Sequence, residues 1–201
     1  MKARDNPFAT DRVHAMRYVC CGESWSAMLA RLRQLRYRAA IVGPHGAGKT
    51  TLLEELQAEL AARGFRIKPL RLTCERPTFD RVFLDRFFHL LTPADVVTLD
   101  GAEQLTRWAW ASFRRHAACA SGLIITSHRS GLLPTLTECH TSAPLLGGLI
   151  DRLLTDAMPG AIPLSGVSGD LPSAEDLFAR HKGNLRAALR ELYDRCAERH
   201  E

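Results

Sequence analysis

Three glycines, a lysine and a hydroxyl fall within eight consecutive residues of this 201-residue chain, Gly43 to Thr50, reading Gly-Pro-His-Gly-Ala-Gly-Lys-Thr. Glycine has no Cβ, so at Gly43, Gly46 and Gly48 the backbone can take positive φ and turn consecutive N–H groups toward one anion. The spacing G-x-x-x-x-G-K-[ST] suits a phosphate chain: the amides cradle it, the lysine reaches its β- and γ-phosphates and the hydroxyl faces Mg²⁺. On that reading Gly43, Pro44, His45, Gly46, Ala47, Gly48, Lys49, Thr50 and Thr51 bind a nucleotide, with Lys49 acting in the chemistry and Thr50 ligating the metal. ATP is expected over GTP because no Asn-Lys-x-Asp guanine-reading segment occurs. The alternative is a glycine-rich turn with a chance lysine.

Such a loop works only between a strand and a helix, whose first amides and dipole add to the nest. Ala39-Ala40-Ile41-Val42 is a short apolar run before the loop, and Leu52, Leu53, Leu56 and Leu60 follow at helical spacing until Gly64. A second strand is expected at Val96-Val97-Thr98-Leu99, closed by Asp100. Ligands of open α/β sheets bind at the carboxyl ends of strands, so Asp100 can hold Mg²⁺ or its water shell there. An aspartate at a strand end also serves as a helix cap. Glu103 either turns back to position an attacking water or caps the next helix. Gly122 to His128 reads as a further buried strand whose polar end, Thr126 to His128, reaches the same edge.

The remaining pattern supplies the frame. Residues 1–22 read as irregular, with Asn6-Pro7-Phe8 as a docking element, and Trp25, Met28, Leu29, Leu32 and Leu35 line a helix. Phe65 to Thr73 is extended, but Pro69 places it near an edge or at a bulge. Phe79, Val82, Phe83, Phe87 and Leu90 form a helical face that Pro93 ends, and a helix from Gln104 to Cys119 turns Leu105, Trp108 and Phe113 inward. Ser142 to Asp156 is helical, Ile162-Pro163-Leu164 reads as a last short strand, and residues 173–198 form a helical tail broken at Gly183-Asn184 and started by Ser173 with Asp176. This alternation predicts a three-layer α/β sandwich around a mostly parallel sheet, the architecture of P-loop NTPases, with a short helical lid at the C-terminus.

A hydrophobic content of 46% supports one core and a small appendage, divided as residues 1–22, a nucleotide-binding core at 23–169 and a lid at 170–201. Net charge of +5 permits a polyanionic partner without requiring one, and Arg31, Arg33, Arg36 and Arg38 read either as a solvated helix face or as a nucleic-acid patch. The six cysteines form no C-x-x-C pair and read as reduced thiols. No signal-peptide core and no run of membrane-spanning length is found, which fits a cytoplasmic protein.

The order of the phosphate loop, Val-Val-Thr-Leu-Asp-Gly-Ala-Glu-Gln-Leu and Leu-Ile-Ile-Thr-Ser-His resembles the Walker A, Walker B and sensor 1 series of the AAA+ ATPases. The tail Gly-Asn-Leu-Arg is similar to their Gly-Asn-x-Arg sensor 2 segment, and the start Asn-Pro-Phe resembles the ATP-binding proteins typified by ExeA and TniB. The resemblance implies Mg²⁺-dependent ATP hydrolysis or an ATP-driven switch. It makes Thr126 or Ser127 the polar sensor near the γ-phosphate, sets Arg186 against the phosphates from the lid side, and implies a homo-oligomer. Arg186 has a second reading, an ion pair with Glu175 or Asp176, and Arg129 and Arg152 read as trans-acting fingers or ordinary surface arginines.

Those relatives carry a glutamate directly after the Walker B aspartate, where this chain has Gly101, which points to slow hydrolysis or a switch. Two other classes stay open: a nucleotide-gated adaptor for DNA or a protein, and a small-molecule or nucleotide kinase. An ABC ATPase is disfavoured because Leu164-Ser165-Gly166 follows the Asp100 strand instead of preceding it. Lys49→Ala should weaken ATP binding by about one to three kcal/mol, the worth of a charge-assisted bond to phosphate; calorimetric titration with unchanged affinity would remove the phosphate-loop reading.

Overall fold

The computed structural model describes residues 6–16, 24–157 and 172–198. Its sheet has five strands, β1 (Arg38–Val42), β2 (Arg66–Arg71), β3 (Asp95–Asp100), β4 (Gly122–Ser127) and β5 (Thr135–Glu138), in the order β2-β3-β4-β1-β5. Every pairing is parallel. The apolar runs β3 and β4 are buried throughout except at Asp100, as strands covered on both faces must be. Val42 pairs with Ser127 and Arg71 with Asp100, so neighbouring strands end level and bring their polar last residues to one edge. β2, which contains Pro69, is an edge strand, as that proline predicts.

β5 was not expected. It follows Pro134 and offers one buried apolar residue, Leu136, between threonines, so only its period-two alternation marks it as a strand. The last strand expected at Ile162–Leu164 lies outside the described residues.

The helices are α1 (Thr10–Ala15), α2 (Trp25–Gln34), α3 (Lys49–Ala62), α4 (Arg81–His89), α5 (Arg107–His116), α6 (Ala143–Ala157), α7 (Ala174–Arg180) and α8 (Leu185–Glu198). None among the described residues is long and apolar enough to cross a membrane. Contacts divide the chain into two units, Tyr18–Gly43 with Gly48–Cys139, and Met1–Arg17 with Pro44–Ala47 and His140–Glu201.

In the sheet-containing unit, α3 buries Leu52, Leu53, Leu56 and Leu60, and α2, capped by Ser24, buries Met28 and Leu32. One sheet face, with Ala40, Val42, Val97, Leu99, Leu123 and Ile125, packs with Trp110 and Phe113 of α5. Against the expected faces, Trp108 is 87% exposed and Val82, Phe83 and Leu90 are 75%, 49% and 59% exposed. The inward residues of α4 are Leu84, Phe87 and Phe88. Asp80 and Thr106 cap α4 and α5, and the extended residues Leu105 and Thr106 separate α5 from the 3₁₀ turn at Ala102–Gln104, so the helix expected from Gln104 begins only at Arg107.

In the other unit Phe8 is buried with Leu146, Ile150 and Leu153 of α6, Leu177 of α7 and Leu189 of α8. Asn6 Nδ2 donates to the carbonyl of Tyr193 at 2.9 Å and Asn6 Oδ1 accepts from Phe8 N at 3.0 Å, so the Asn-Pro-Phe segment docks as expected. The irregular reading of residues 1–22 fails at Thr10–Ala15, which is helical. Ser173 caps α7, and the break before α8 is made by Gly183 at φ 80° and Asn184, whose Oδ1 accepts from Ala187 N at 3.1 Å. Glu191 on α8 gathers His181, Arg180 and Arg195; burial opposes its charge, but these donors hold its carboxyl below the usual range.

Asp95 opens β3 with no exposed surface. Burial alone would raise its pKa, yet Thr92 N at 2.6 Å, Thr92 Oγ1 at 2.8 Å and Arg66 Nε at 3.2 Å favour the carboxylate, and the net shift is downward. A carboxyl lowered in the folded state stabilises above the ordinary aspartate range and loses that contribution as pH falls through it. Asp95→Asn should therefore cost about 1–3 kcal/mol near neutral pH and flatten the acid side of the stability curve. Urea unfolding at neutral and acid pH checks this; parallel curves for both proteins would refute it.

Candidate functional site

Gly48 takes φ 80° and ψ 11° and serves as the N-cap of α3 without a side chain, so no side-chain acceptor covers the first amides of that helix. Lys49, the first residue of α3, is 8% exposed, and its Nζ donates to the Gly43 carbonyl at 2.7 Å. Two positions of the loop need glycine on steric grounds. A Cβ on Gly43 would lie 2.5 Å from the Cys139 carbonyl oxygen just past β5, and one on Gly46, at φ 75°, would lie 2.1 Å from Asn184 Oδ1. Between them Pro44 and His45 are exposed; Ala47, after Gly46, is buried, and Thr51 is half-buried on the first turn of α3.

Asp100, at the end of β3, is the centre of the polar edge. Thr50 Oγ1 donates to its Oδ2 at 3.1 Å, Thr126 Oγ1 donates to its Oδ1 at 2.6 Å, and Arg71 Nε lies 3.4 Å from Oδ2. Thr126 Oγ1 also accepts from Gly101 N at 2.8 Å. The two hydroxyls named from β4 thus part company: Ser127 Oγ donates to the Arg129 carbonyl at 2.8 Å and accepts from Arg129 N at 3.2 Å, which closes a local turn. Asp100 is not a helix cap, since Thr106 caps α5.

That cap also removes the capping role for Glu103. Glu103 sits in the 3₁₀ turn after β3, its Oε1 3.1 Å from His128 Nε2 and its Oε2 buried with no hydrogen-bond partner among the described residues. A buried carboxylate oxygen with open lone pairs is where a water or other donor belongs. The sequence reading missed Arg71 as a partner of Asp100 and His128 as a partner of Glu103. Both stand at strand ends, and the parallel register Arg71↔Asp100 was the signal for the first.

Arg186 is exposed on the first turn of α8 and makes no ion pair among the described residues, so the pairing with Glu175 or Asp176 does not form. Arg129 and Arg152 are exposed on the β4–β5 connection and on α6.

Gly101 has a backbone reason. Its φ is 85°, and a Cβ there would meet the Leu72 carbonyl oxygen at 2.5 Å. A glutamate in that position is therefore barred by the turn itself. Gly101→Glu should destabilise the fold by about 1–3 kcal/mol or more through left-handed strain, read as a lower urea midpoint at unchanged m-value; a midpoint equal to the parent would mean that the turn relaxes freely.

No protein-family model and no curated protein matches the chain. Among solved structures it is similar to a lysine-to-arginine mutant of RuvB from Thermotoga maritima, with a TM-score of 0.53 and 17% identity over 84% of this chain and 61% of that one. The chain therefore spans less than two thirds of that protein's length. At such identity the likeness speaks to architecture alone. With the parallel order β2-β3-β4-β1-β5 and the loop between β1 and α3, it shows that the chain shares the α/β fold of that structure, a parallel sheet flanked by helices.

Proposed function

We propose that the chain binds ATP with Mg²⁺ at the carboxyl edge of the sheet and hydrolyses it slowly, using the bound nucleotide as a switch. The observation that carries this reading is the convergence of Thr50 and Thr126 on Asp100, with Lys49 opening the helix that bears Thr50. The oxygens of Thr50 and Asp100 are hard donors 3.1 Å apart, a set that fits Mg²⁺, which takes one or two protein oxygens and leaves the rest to phosphates and water. Bound there, the ion would neutralise charge developing on the β- and γ-phosphate oxygens.

The chain's own groups then have separable tasks. Gly43 to Thr51 bind the phosphates through amides and Lys49 adds a cation. Thr126 fixes the Asp100 carboxylate and the Gly101 amide in one orientation. Glu103, held at Oε1 by His128, presents Oε2 to orient a water. Arg186 is assigned to the phosphates from the lid segment, and support comes from Gly46 of the loop packing against Asn184 two residues earlier. The turn at Gly101 favours a second reading, an adaptor gated by ATP with little turnover, because it excludes a glutamate next to Asp100.

Phosphate release by the purified protein, with and without duplex DNA, tests the reading. Glu103→Gln should keep ATP affinity within about two-fold and lower turnover by about a hundred-fold, the usual worth of a positioned base; His128→Ala should lower turnover less and shift its pH profile. A parent that binds no ATP refutes the function. Equal turnover in Glu103→Gln refutes only the role of Glu103.

A further inference from the structure

The outer layer formed by α4 and α5 combines features that its packing does not explain. Phe88 of α4 packs edge-on to Phe113 and stacks on His116 of α5, with centroids 5.2 and 5.1 Å apart, so the two helices lie side by side. Their outward surface carries Arg81 and Arg86 on α4 and Arg107, Arg114 and Arg115 on α5, with no acid on α5 and only Asp85 within α4. Trp108 stands in the middle of this charge, 87% exposed and without a ring contact among the described residues. The residues three, four and seven positions on, Ala111, Ser112 and Arg115, are all exposed, so nothing in this unit covers the face of the indole.

We propose that this face binds single-stranded nucleic acid, with Trp108 stacking on an unpaired base and Arg107, Arg114 and Arg115 holding the flanking phosphates. An exposed aromatic among arginines supplies the two interactions such strands need: a π-surface for any base and cations for the backbone. In a duplex the bases already stack on one another and offer no free face to Trp108. A second copy of the chain is disfavoured because a two-fold contact through this face would set arginines against arginines. Val82 and Phe83 of α4 and its C-cap Leu90 are exposed as well, so a lipid surface is the competing occupant, and Trp108-dependent binding to anionic vesicles is the result that would assign the face to it. The proposal does not rest on the nucleotide reading and is tested without ATP.

Fluorescence anisotropy with a labelled oligo-thymidine of about twenty nucleotides, a duplex of equal length and vesicles of anionic lipid decides it. The expected result is preference for the single strand, loss of roughly ten- to a hundred-fold in affinity for Trp108→Ala, and near-parental binding by Trp108→Phe. Arg115→Ala should reduce the slope of log affinity against log salt by about 0.7. Because Trp108 is 87% exposed, circular dichroism of the variants should match the parent. No binding, equal affinity for the duplex, parental affinity in Trp108→Ala, or Trp108-dependent binding to vesicles or self-association would each overturn the proposal.

Discussion

A single carboxylate at the end of β3 sets the geometry of the polar edge. Asp100 is only 15% exposed at its side chain, so its charge has to be met by donors from the protein. It finds them on three other elements: the hydroxyl of Thr50 from α3, the hydroxyl of Thr126 from β4 and the guanidinium of Arg71 from β2. Each bond fixes where its element ends relative to β3. The parallel order of the sheet makes this feasible, since β2 and β4 flank β3, with Arg71 paired to Asp100 and Thr126 one step past the Leu99↔Ile125 pair.

Sterics at glycine do the complementary work. Gly43 sits against the Cys139 carbonyl and Gly101 against that of Leu72, both closer than any Cβ tolerates. The first lets the loop leave β1 beside the end of β5. The second folds the chain after β3 into the 3₁₀ turn that carries Glu103 toward His128. A departure from the related motif thereby acquires a structural cause: the residue after Asp100 is glycine because the backbone reverses there, and the nearest acid is displaced to Glu103.

The helical unit and the sheet unit answer to different rules. Phe8, α6, α7 and α8 form their own apolar cluster, tied by Asn6 to the Tyr193 carbonyl and by the ion pairs of Glu191. The sheet unit buries almost every apolar residue of its strands but leaves the outer layer of α4 and α5 basic and aromatic. Burial accounts for the first pattern and not for the second, which is why that layer points to a ligand.

The sequence by itself determined what local physics controls. A glycine-lysine loop between an apolar run and a leucine-spaced helix needs no distant contact to be recognised, nor do the cap at Ser173 or the edge position implied by Pro69. Tertiary structure decided the rest. Which of Thr126 and Ser127 meets Asp100, whether Glu103 caps a helix or pairs with His128, and which face of α5 turns inward all depend on register between strands distant in sequence, or on how a helix packs against the sheet. One residue of shift in register exchanges the buried side of a strand for the exposed one, and one residue of helix phase turns the inward face by about 100°. Composition and spacing along a single segment hold no information on that shift, because it is set by where the neighbouring strands stop.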